Sequence, residues 1–452
     1  MARLRTVFRC EECGTGAPKW AGRCPGCGAW NTMAEELEEA SKPAASDATG
    51  PAERPIPVDE VDVTAWVPRP TGIGELDRVL GGGFVPGSVT LLGGEPGIGK
   101  STLLLQVLGS LAGQGLTCLM VSGEESAQQV RLRAERLGIR TPKLWLLAET
   151  NLDRLLAACR QVGPGCLVVD SIQTMVDADV PSTAGSVTQV RECAARLVRL
   201  AKQEALAVVL VGHVTKEGGL AGPRVLEHVV DTVLSFEGER HHALRLLRAS
   251  KHRFGPTTEL GLFEMRDDGM IGVPDPGALF LADRRPGIPG SVVAPILDGH
   301  RPLLVELQAL VTATTLPMPR RSAQGLDGGR VALLAAVLDK RAGVSVTGCD
   351  VYALAAGGVK VTEPAADLAL ALAMASSVTD VAVGAGLVAC GEVGLGGELR
   401  QVSQTGRRLA EAARLGFTQA IVPESAPEPP PGMEVLRAAT LLEALGLAGL
   451  GL

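Results

Sequence analysis

The chain has 452 residues, enough for two or three domains, and 46% of them are hydrophobic, so sizeable cores are available. Its formal net charge is −7, and residues 33–66 account for all of it with nine acidic and two basic residues. This acidic total does not exclude nucleic-acid binding, which depends on local basic patches. No apolar run reaches the ~18–20 residues of a membrane span and no signal-peptide core is present, which predicts a cytoplasmic protein with no membrane partner.

Four cysteines near the start have the spacing of a zinc ribbon: Cys10-x2-Cys13 and Cys24-x2-Cys27. Closely spaced cysteines in a reducing compartment are metal ligands rather than disulfides. Four thiolates complete a tetrahedron, so the sequence predicts a structural Zn²⁺ site in a module of residues 1–32. This module is compatible with either DNA or a protein as its contact. Residues 33–66 are acidic and proline-containing, which predicts a flexible linker.

A glycine-rich string follows a predicted strand at Ser88–Leu92 and precedes a predicted helix from Lys100. Such a string cradles phosphates with backbone N–H groups at a helix N-terminus. Lys100 is expected to reach the β- and γ-phosphates of ATP, and Ser101 to ligate Mg²⁺. The predicted nucleotide-binding residues are Gly94, Glu95, Pro96, Gly97, Ile98, Gly99, Lys100, Ser101 and Thr102.

Carboxylates end two later strands. Asp170 closes the apolar run from Cys166, where it would organise the magnesium hydration shell. Glu124 and Glu125 follow a predicted strand at Leu116–Val121, and a carboxylate there would orient the attacking water. We favour Glu124 for that role, although acidic residues in this position also simply enrich the first turn of a helix.

Polar residues also follow the predicted strand at Ala207–Val211. His213 is interpreted either as a sensor of the γ-phosphate or as an ordinary structural histidine. The loop of residues 216–224 carries Lys216 and Arg224, and it is interpreted as a DNA-contacting loop or as a plain surface excursion.

Strands and helices alternate from about Val67, which predicts an α/β fold with a mostly parallel sheet over residues 67–272. Antiparallel strands are expected at 232–236, 243–249 and 260–264. A Pro/Gly-rich linker at 273–289 then leads to a second α/β domain at 290–452, whose last clear helix is expected at Arg407–Leu415.

These features together resemble the RadA (Sms) family of bacterial DNA-repair ATPases over nearly the whole chain. The family pentapeptide Lys-Asn-Arg-Phe-Gly is present here as Lys251-His252-Arg253-Phe254-Gly255, with histidine in the second position. The supporting strings are residues 10–27, 71–77, 94–101, 122–126, 169–173, 212–218 and 251–255.

The resemblance implies a RecA/DnaB-like motor core assembled as a homo-hexameric ring. Its implied activity is ATP-driven movement on single-stranded DNA that promotes branch migration and the processing of branched recombination intermediates. A RecA-type recombinase and a replicative helicase are the implied protein partners. Lys251 and Arg253 are implied to act near the subunit interface on a neighbour's nucleotide; the alternative is passive binding of phosphate or DNA.

Residues from about Ser291 resemble the proteolytic domain of Lon. In that resemblance Ala365 occupies the place of the catalytic serine and Gly406 the place of the lysine, so no peptidase activity is expected. The domain is then expected to serve as an oligomerisation scaffold. A basic cluster is interpreted as either a DNA-binding surface or a solvated face, and its members are Arg320, Arg321, Arg330, Lys340 and Arg341.

Three alternatives are weaker. A KaiC-like ATPase switch would turn over ATP without regard to DNA, but the zinc module and the pentapeptide are not expected in it. An active ATP-dependent protease is disfavoured by Ala365 and Gly406. A non-catalytic structural partner is disfavoured by the complete phosphate loop.

Overall fold

The computed structural model describes residues 4–10, 15–26, 28–39, 57–60, 66–214, 220–221, 225–238, 244–314 and 318–451. It divides into two compact units, Met1–Pro274 and Asp275–Leu452. The boundary lies within the Pro/Gly-rich segment at 273–289. Among the described residues, no helix is long and apolar enough to cross a membrane.

The first unit begins with a small three-stranded sheet of β1 (Leu4–Cys10), β2 (Gly16–Ala17) and β3 (Met33–Glu39). β3 pairs antiparallel with β1 from Leu4 opposite Glu39 to Cys10 opposite Met33. The prediction that the flexible linker starts at residue 33 is therefore wrong for residues 33–39. The acidic composition of residues 33–39 indicated that this segment repels itself and stays extended. Its pairing with β1, about 30 positions earlier in the chain, is a long-range contact that composition alone does not predict.

The rest of the first unit is built around one large mixed sheet. Its described strands run in the order β13-β12-β11-β10-β4-β8-β7-β5-β6, and β9 pairs with β8. The elements are α1 (Gly74–Val79), β4 (Val89–Gly94), α2 (Lys100–Gly113), β5 (Cys118–Ser122), α3 (Ala127–Arg136), β6 (Leu144–Ala148), α4 (Leu152–Val162), β7 (Cys166–Asp170), α5 (Val187–Gln203), β8 (Ala207–Val214), β9 (Leu220–Ala221), α6 (Val225–Val229), β10 (Thr232–Glu237), β11 (Leu244–His252), β12 (Leu260–Arg266) and β13 (Gly269–Gly272).

Apolar strands and well-capped helices explain this layout. All residues of β4, β5 and β7 are buried, as expected for parallel strands covered on both faces. Ser126 starts α3 with a capping box in which its hydroxyl accepts from Gln129 N–H and the Gln129 side chain accepts from Ser126 N–H. The sheet then separates two apolar cores, one on each face.

The parallel strands have their carboxyl ends at one edge of the sheet and their amino ends at the opposite edge. β4, β8, β7 and β5 are neighbouring and parallel, so their carboxyl ends meet at one edge. Gly94, Ser122 and Asp170 end their strands there. Val89, the first residue of β4, lies at the opposite edge, five residues or ~16 Å away along the strand.

The second unit contains a seven-stranded mixed sheet in the order β16-β17-β15-β14-β18-β21-β22 and a separate β19–β20 pair. The helix expected at Arg407–Leu415 was predicted to be the last one. The structure instead has a further short apolar helix, Leu441–Leu447, which Thr440 caps. The elements are α7 (Pro276–Phe280), β14 (Ser291–Asp298), β15 (Arg301–Ala313), β16 (Arg321–Gln324), α8 (Gly328–Ala342), β17 (Cys349–Ala355), α9 (Asp367–Thr379), β18 (Leu387–Ala389), β19 (Glu392–Val393), β20 (Leu399–Arg400), α10 (Thr405–Arg414), β21 (Gln419–Pro423), β22 (Glu434–Ala438) and α11 (Leu441–Leu447).

Candidate nucleotide site and its surroundings

The phosphate loop connects the carboxyl end of β4 to the first turn of α2. Gly99 has φ +113°, a backbone conformation that residues with a β-carbon rarely adopt. A β-carbon on Gly94 would lie 2.7 Å from the carbonyl oxygen of Phe236. Glycine is therefore the residue that fits at both ends of the loop.

Lys100 lies inside this loop with only 6% of its surface exposed. Its Nζ donates to the carbonyl oxygens of Gly94 at 2.7 Å and Glu95 at 3.0 Å. Burial lowers the pKa of Lys100, while the Coulombic attraction of Asp170 and Glu124 opposes that shift. A phosphate would compensate the cost of burying this ammonium better than neutral carbonyls do.

Asp170 ends β7 with 8% exposure, and the Ser101 hydroxyl lies close enough to influence its carboxylate. Burial is the main cause that raises the pKa of Asp170, and the Ser101 hydrogen bond is the largest opposing effect. A hydroxyl beside a carboxylate is an oxygen donor set of the kind Mg²⁺ prefers. These residues therefore fit the predicted metal, with Ser101 as direct ligand and Asp170 beside it.

The two glutamates after β5 have different partners. Glu125 forms a bidentate pair with Arg133, both N–O distances being 2.6 Å. Glu124 instead accepts a 2.7 Å hydrogen bond from the Ser171 hydroxyl, next to Asp170. Both glutamates act electrostatically on Asp170, and Glu124 acts on Lys100 as well. The geometry thus directs Glu124 to the phosphate side and Glu125 to a structural ion pair.

β8 lies between β4 and β7, and its register sets His213 directly opposite Gly94. The backbone of His213 is therefore beside the start of the phosphate loop. Lys216 and Arg224 lie outside the described residues, as does most of the loop 216–224. Leu220–Ala221 of that loop forms β9 and pairs with His213 and Val214.

Several residues around the phosphate loop were not predicted as part of the site. Arg245 of β11 is buried, and its Nε donates to the carbonyl of Ile98 at 3.2 Å, although the two residues are 147 positions apart. Ser171 and Arg133 orient the two glutamates as described above. Ser171 follows Asp170 directly and was detectable as a polar residue at a strand end, whereas no local signal marks Arg245.

Lys251 lies away from its own phosphate loop. It is opposite Val233, while Ala249 is opposite Leu234, so Ser250 is the extra residue of a β-bulge. Ala249 and Leu234 pack in one core and Val233 packs in the other. The bulge therefore turns Lys251 to the face that carries α6.

On that face the Lys251 ammonium donates to two backbone carbonyls at the end of α6. The Nζ–O distances are 2.6 Å to Glu227 and 2.7 Å to Val230. Burial lowers the pKa of Lys251, the neighbouring Arg253 lowers it further, and Asp231 and Glu227 oppose the shift. A cation at a helix C-terminus is electrostatically favourable.

Arg253 is connected to the amino end of β4. Its Nη1 donates to Asp231 Oδ1 at 3.1 Å, and Asp231 Oδ2 accepts from the backbone N–H of Val89 at 3.0 Å. The Arg253 side chain nevertheless remains 51% exposed. The side chains of Lys251 and Arg253 are therefore bonded to groups near the edge of the sheet opposite to the phosphate loop.

His252 replaces the asparagine of the family pentapeptide, and its ring takes a role open to an asparagine amide. Its Nδ1 accepts from Phe254 N–H at 3.3 Å and lies 3.4 Å from the Thr232 hydroxyl. Burial lowers the pKa of His252, with a smaller opposing effect from the Leu80 carbonyl. The neutral ring therefore maintains the local turn that an asparagine oxygen would support.

Two of the four predicted zinc ligands are described, and the structure brings them together. Cys10 and Cys24 are buried in one small core with Met33. Gly26 N–H donates to Cys24 Sγ at 3.3 Å, the type of bond that supports a metal-bound thiolate. Cys13 and Cys27 lie outside the described residues. The described part of the module therefore fits the predicted structural zinc.

Comparisons with known proteins agree with these two sites. A family model described as an AAA domain matches residues 70–219, and one described as a rubredoxin metal binding domain matches residues 8–35. The DNA repair protein RadA of Bacillus subtilis is 48% identical, covering 98% of this chain and 99% of the relative. The chain belongs to the RadA family.

Other members show the same full-length similarity. The RadA proteins of Streptococcus pyogenes and Listeria monocytogenes are 48% and 49% identical, covering 98% and 94% of this chain and 99% and 93% of the relatives. A solved KaiC-like protein from Pyrococcus horikoshii aligns with 46% of this chain and 99% of its own at 21% identity, with a TM-score of 0.39. The relatives and the two family models confirm the predicted family, the predicted ATPase domain and the predicted zinc ribbon.

In the second unit of this RadA-family chain, the two predicted peptidase positions lie in segments joined by an ion pair. Ala365 is buried in a 3-10 turn, and Gly406 is in the first turn of α10. Arg408, 1% exposed, donates to both carboxylate oxygens of Glu363 at 2.6 and 2.7 Å. Arg408 also donates to the Pro295 carbonyl at 3.0 Å.

A second ion pair lies on the other side of Ala365, where Arg330 of α8 binds the buried Asp367. Arg330 and Arg321, which donates to the carbonyl of Thr347 at 3.0 Å, are therefore engaged in internal contacts. Of the predicted basic cluster, Arg320, Lys340 and Arg341 are exposed. The five cations thus do not form one common solvated face.

Proposed function

We propose that this protein is a DNA-stimulated ATPase that works as a helicase-like motor on single-stranded DNA. It acts as a homo-hexameric ring and promotes branch migration and the processing of branched recombination intermediates in DNA repair. The observation that carries the proposal is the opposite placement of Lys100 and the pair Lys251 and Arg253 on one sheet. Such a subunit is suited to a ring in which each pocket is completed by the next subunit.

Hydrolysis is assigned to residues at the carboxyl edge. Lys100 would exchange the carbonyls of Gly94 and Glu95 for phosphate oxygens and stabilise the charge that develops during phosphoryl transfer. Glu124, held by Ser171, would orient the attacking water through its carboxylate. Magnesium, bound through Ser101 with Asp170 beside it, would neutralise phosphate charge. The four cysteines of the zinc module would serve folding, because four thiolates leave no open metal position.

Coupling between subunits is assigned to the pentapeptide. If Lys251 reaches a phosphate on the neighbouring subunit, it must leave the carbonyls of Glu227 and Val230. α6 then loses the cation at its C-terminal end. α6 follows the loop 216–224 in the chain, so this exchange links the nucleotide of one subunit to the proposed DNA contact of another. The position of His213 beside Gly94 supports a further link to the subunit's own pocket.

The second unit is proposed to serve as an oligomerisation scaffold without peptidase activity. Alanine and glycine at positions 365 and 406 offer neither a nucleophile nor a base. The ion pairs of Arg408 with Glu363 and of Arg330 with Asp367 supply further support, because they fix the surrounding turn and helices. A recombinase of the RecA type and a replicative helicase are the proposed partners, and the exposed cations of this unit are available to contact DNA backbone.

The proposal is tested by measuring ATP turnover of the intact protein with and without single-stranded DNA, and by DNA mobility shift with a slowly hydrolysed ATP analogue. We expect DNA to raise the rate and the protein to retard the DNA. Lys100→Ala should lose turnover, and a casein-cleavage assay of the wild type should remain negative. A rate indifferent to DNA, with no retardation, would favour the KaiC-like switch and refute the motor.

A further inference from the structure

Arg245 is a buried cation that binds the phosphate loop from a distant part of the chain. The residue lies in β11, and only 8% of its surface is exposed. Its Nε donates to the carbonyl oxygen of Ile98 at 3.2 Å, and its Nη1 donates to the carbonyl oxygen of Leu244 at 2.9 Å. Burying a charged group costs free energy that burying an apolar side chain does not. The cation is therefore better explained by what its donor does to the loop than by packing alone.

The direction of the Arg245 side chain follows from the pleat of β11. This strand is two places from β4 in the sheet, with β10 between them. Side chains at alternating positions of a strand lie on the same face of the sheet. Leu247, two positions after Arg245, packs in the same core as Ile98 and Leu103 of α2. Arg245 therefore reaches the loop on the face of the sheet that α2 covers.

The carbonyl that Arg245 binds belongs to the same peptide unit as the N–H of Gly99. This peptide is trans, and in a planar trans peptide the C=O and N–H bonds point in opposite directions. The Gly99 N–H is therefore turned away from Arg245. Gly99 is the N-cap residue of α2, and N–H groups at a helix N-terminus that follows a glycine-rich loop are donors to phosphate.

We propose that Arg245 is a positioning residue for ATP, because it holds the Ile98–Gly99 peptide with the Gly99 N–H directed at a phosphate. The inference rests on one part of the proposed function, the binding of ATP by residues 94–102, and it does not involve DNA or the ring. Arg245 itself does not touch the nucleotide. Its role differs from that of Lys100, which would leave the carbonyls of Gly94 and Glu95 for phosphate oxygens, whereas Arg245 keeps its carbonyl.

The charge of Arg245 adds to this geometric effect. Linked hydrogen bonds polarise one another, so a carbonyl that accepts from a cation makes the N–H of its own peptide a stronger donor. The Ile98–Gly99 peptide thus transmits part of the guanidinium charge to the phosphate. A neutral donor in place of Arg245 should hold the peptide but should polarise it less.

The test measures nucleotide binding to full-length Arg245→Met, which has a neutral side chain, with Arg248→Met as the matched control. Arg248 lies in the same strand, is 33% exposed and pairs with Glu237 at 3.5 Å. A fluorescent ADP analogue is titrated directly with Mg²⁺ present, and ATP and pyrophosphate are titrated by displacement. We expect Arg245→Met to weaken all three by about 10- to 100-fold, the range for loss of one hydrogen bond to a charged group. The control should bind like the wild type, since an exposed ion pair contributes little.

Pyrophosphate locates the effect because it has neither base nor ribose. An equal loss for all three ligands would place the effect at the phosphates, as proposed. Weaker binding of ADP and ATP with unchanged pyrophosphate binding would contradict the proposal, as would an equal loss in Arg248→Met. A folded Arg245→Met protein with a lower Tm but wild-type affinities would show a purely structural role and overturn it.

Two further variants separate the donor from the charge. Arg245→Lys keeps both a donor and a charge, and Arg245→Gln keeps a neutral donor at the position of the arginine Nε. We expect affinity for pyrophosphate to fall in the order Lys, Gln, Met at this position. If Arg245→Met does not fold, the comparison of Lys with Gln still decides, because binding by the Gln variant at least as tight as by the Lys variant would refute the charge effect and the proposal with it.

These measurements are separable from the test of the motor. If Arg245→Met binds nucleotides like the wild type while DNA stimulates wild-type turnover, the positioning role is wrong and the motor stands. If Arg245→Met loses phosphate affinity while wild-type turnover is indifferent to DNA, the positioning role stands and the motor is wrong.

Discussion

Action of Lys251 on a neighbouring subunit can be tested by mixing two inactive variants. The Lys251→Ala variant keeps its own phosphate loop intact. That loop follows the carboxyl end of β4, whereas the Lys251 ammonium is bonded near the amino end of β4, and this strand is ~16 Å long. Lys100→Ala loses its pocket but still presents Lys251 to a neighbour. Each variant alone should show DNA-stimulated turnover reduced by on the order of 10²–10³-fold, the usual cost of one lost donor to a transition-state charge.

A ring built from both variants has some competent interfaces. A competent interface needs the pocket of a Lys251→Ala subunit and the lysine of a Lys100→Ala subunit. With equal amounts and random order in a head-to-tail ring, about a quarter of the interfaces meet this condition. The mixture should therefore recover at most about a quarter of the wild-type stimulated rate, the value reached when each competent interface turns over independently, and less when turnover depends on a competent neighbour.

The assay is DNA-stimulated phosphate release over a series of mixing ratios, with differently tagged variants to verify by co-purification that mixed rings form. The recovered rate should be greatest near equal amounts. Co-purifying variants that show no recovered activity would refute action between subunits. Lys251→Ala should also lose about 2 kcal/mol of unfolding free energy, because two hydrogen bonds from a charged donor are removed; denaturant titration measures this loss.

Three further predictions concern single sites. Glu124→Gln should lower kcat by on the order of 10²–10⁴-fold without weakening nucleotide binding. Steady-state turnover and stopped-flow nucleotide binding measure these two effects, with Glu125→Gln as the control. A larger loss of kcat in Glu125→Gln would reverse the assignment. Burial lowers the pKa of His252 below its ordinary 6.5, so its contribution to stability should be complete above that pH and fall as pH drops through the folded-state pKa. Denaturant titrations from pH 7.5 to 5 should show this extra loss relative to His252→Asn; parallel curves would contradict it. Cys24→Ser should reduce bound zinc to near zero by elemental analysis, and full retention would argue against the four-thiolate site.

Much of the nucleotide site is predictable because its signals are local. The loop from Gly94 to Ser101 carries its own glycines, lysine and hydroxyl, and Asp170 ends a plainly apolar strand. The preference for Glu124 over Glu125 is a prediction that the geometry supports, since Arg133 holds Glu125. That ion pair spans eight positions across a helix start, so the sequence gives little direct sign of it.

Other features depend on contacts between distant segments. The hydrogen bond from Arg245 to Ile98 and the aromatic pair of Trp66 and Phe254 both join residues more than 100 positions apart. The bulge at Ser250 arises from strand register, which alternation of residue types does not specify when both faces are buried. The pairing of β3 with β1 is likewise a contact between distant segments, which the acidic composition of residues 33–39 does not predict.

The strand β4 has an implication for timing around the ring. One end holds the phosphate loop, and the other is hydrogen-bonded to Asp231, which also grips Arg253. In the proposed ring, a shift of this strand when a pocket fills or empties would displace Arg253, one of the cations proposed to act on the next subunit. We therefore expect the subunits of such a ring to hydrolyse ATP in order rather than at random, because hydrolysis in one pocket prepares the neighbouring pocket.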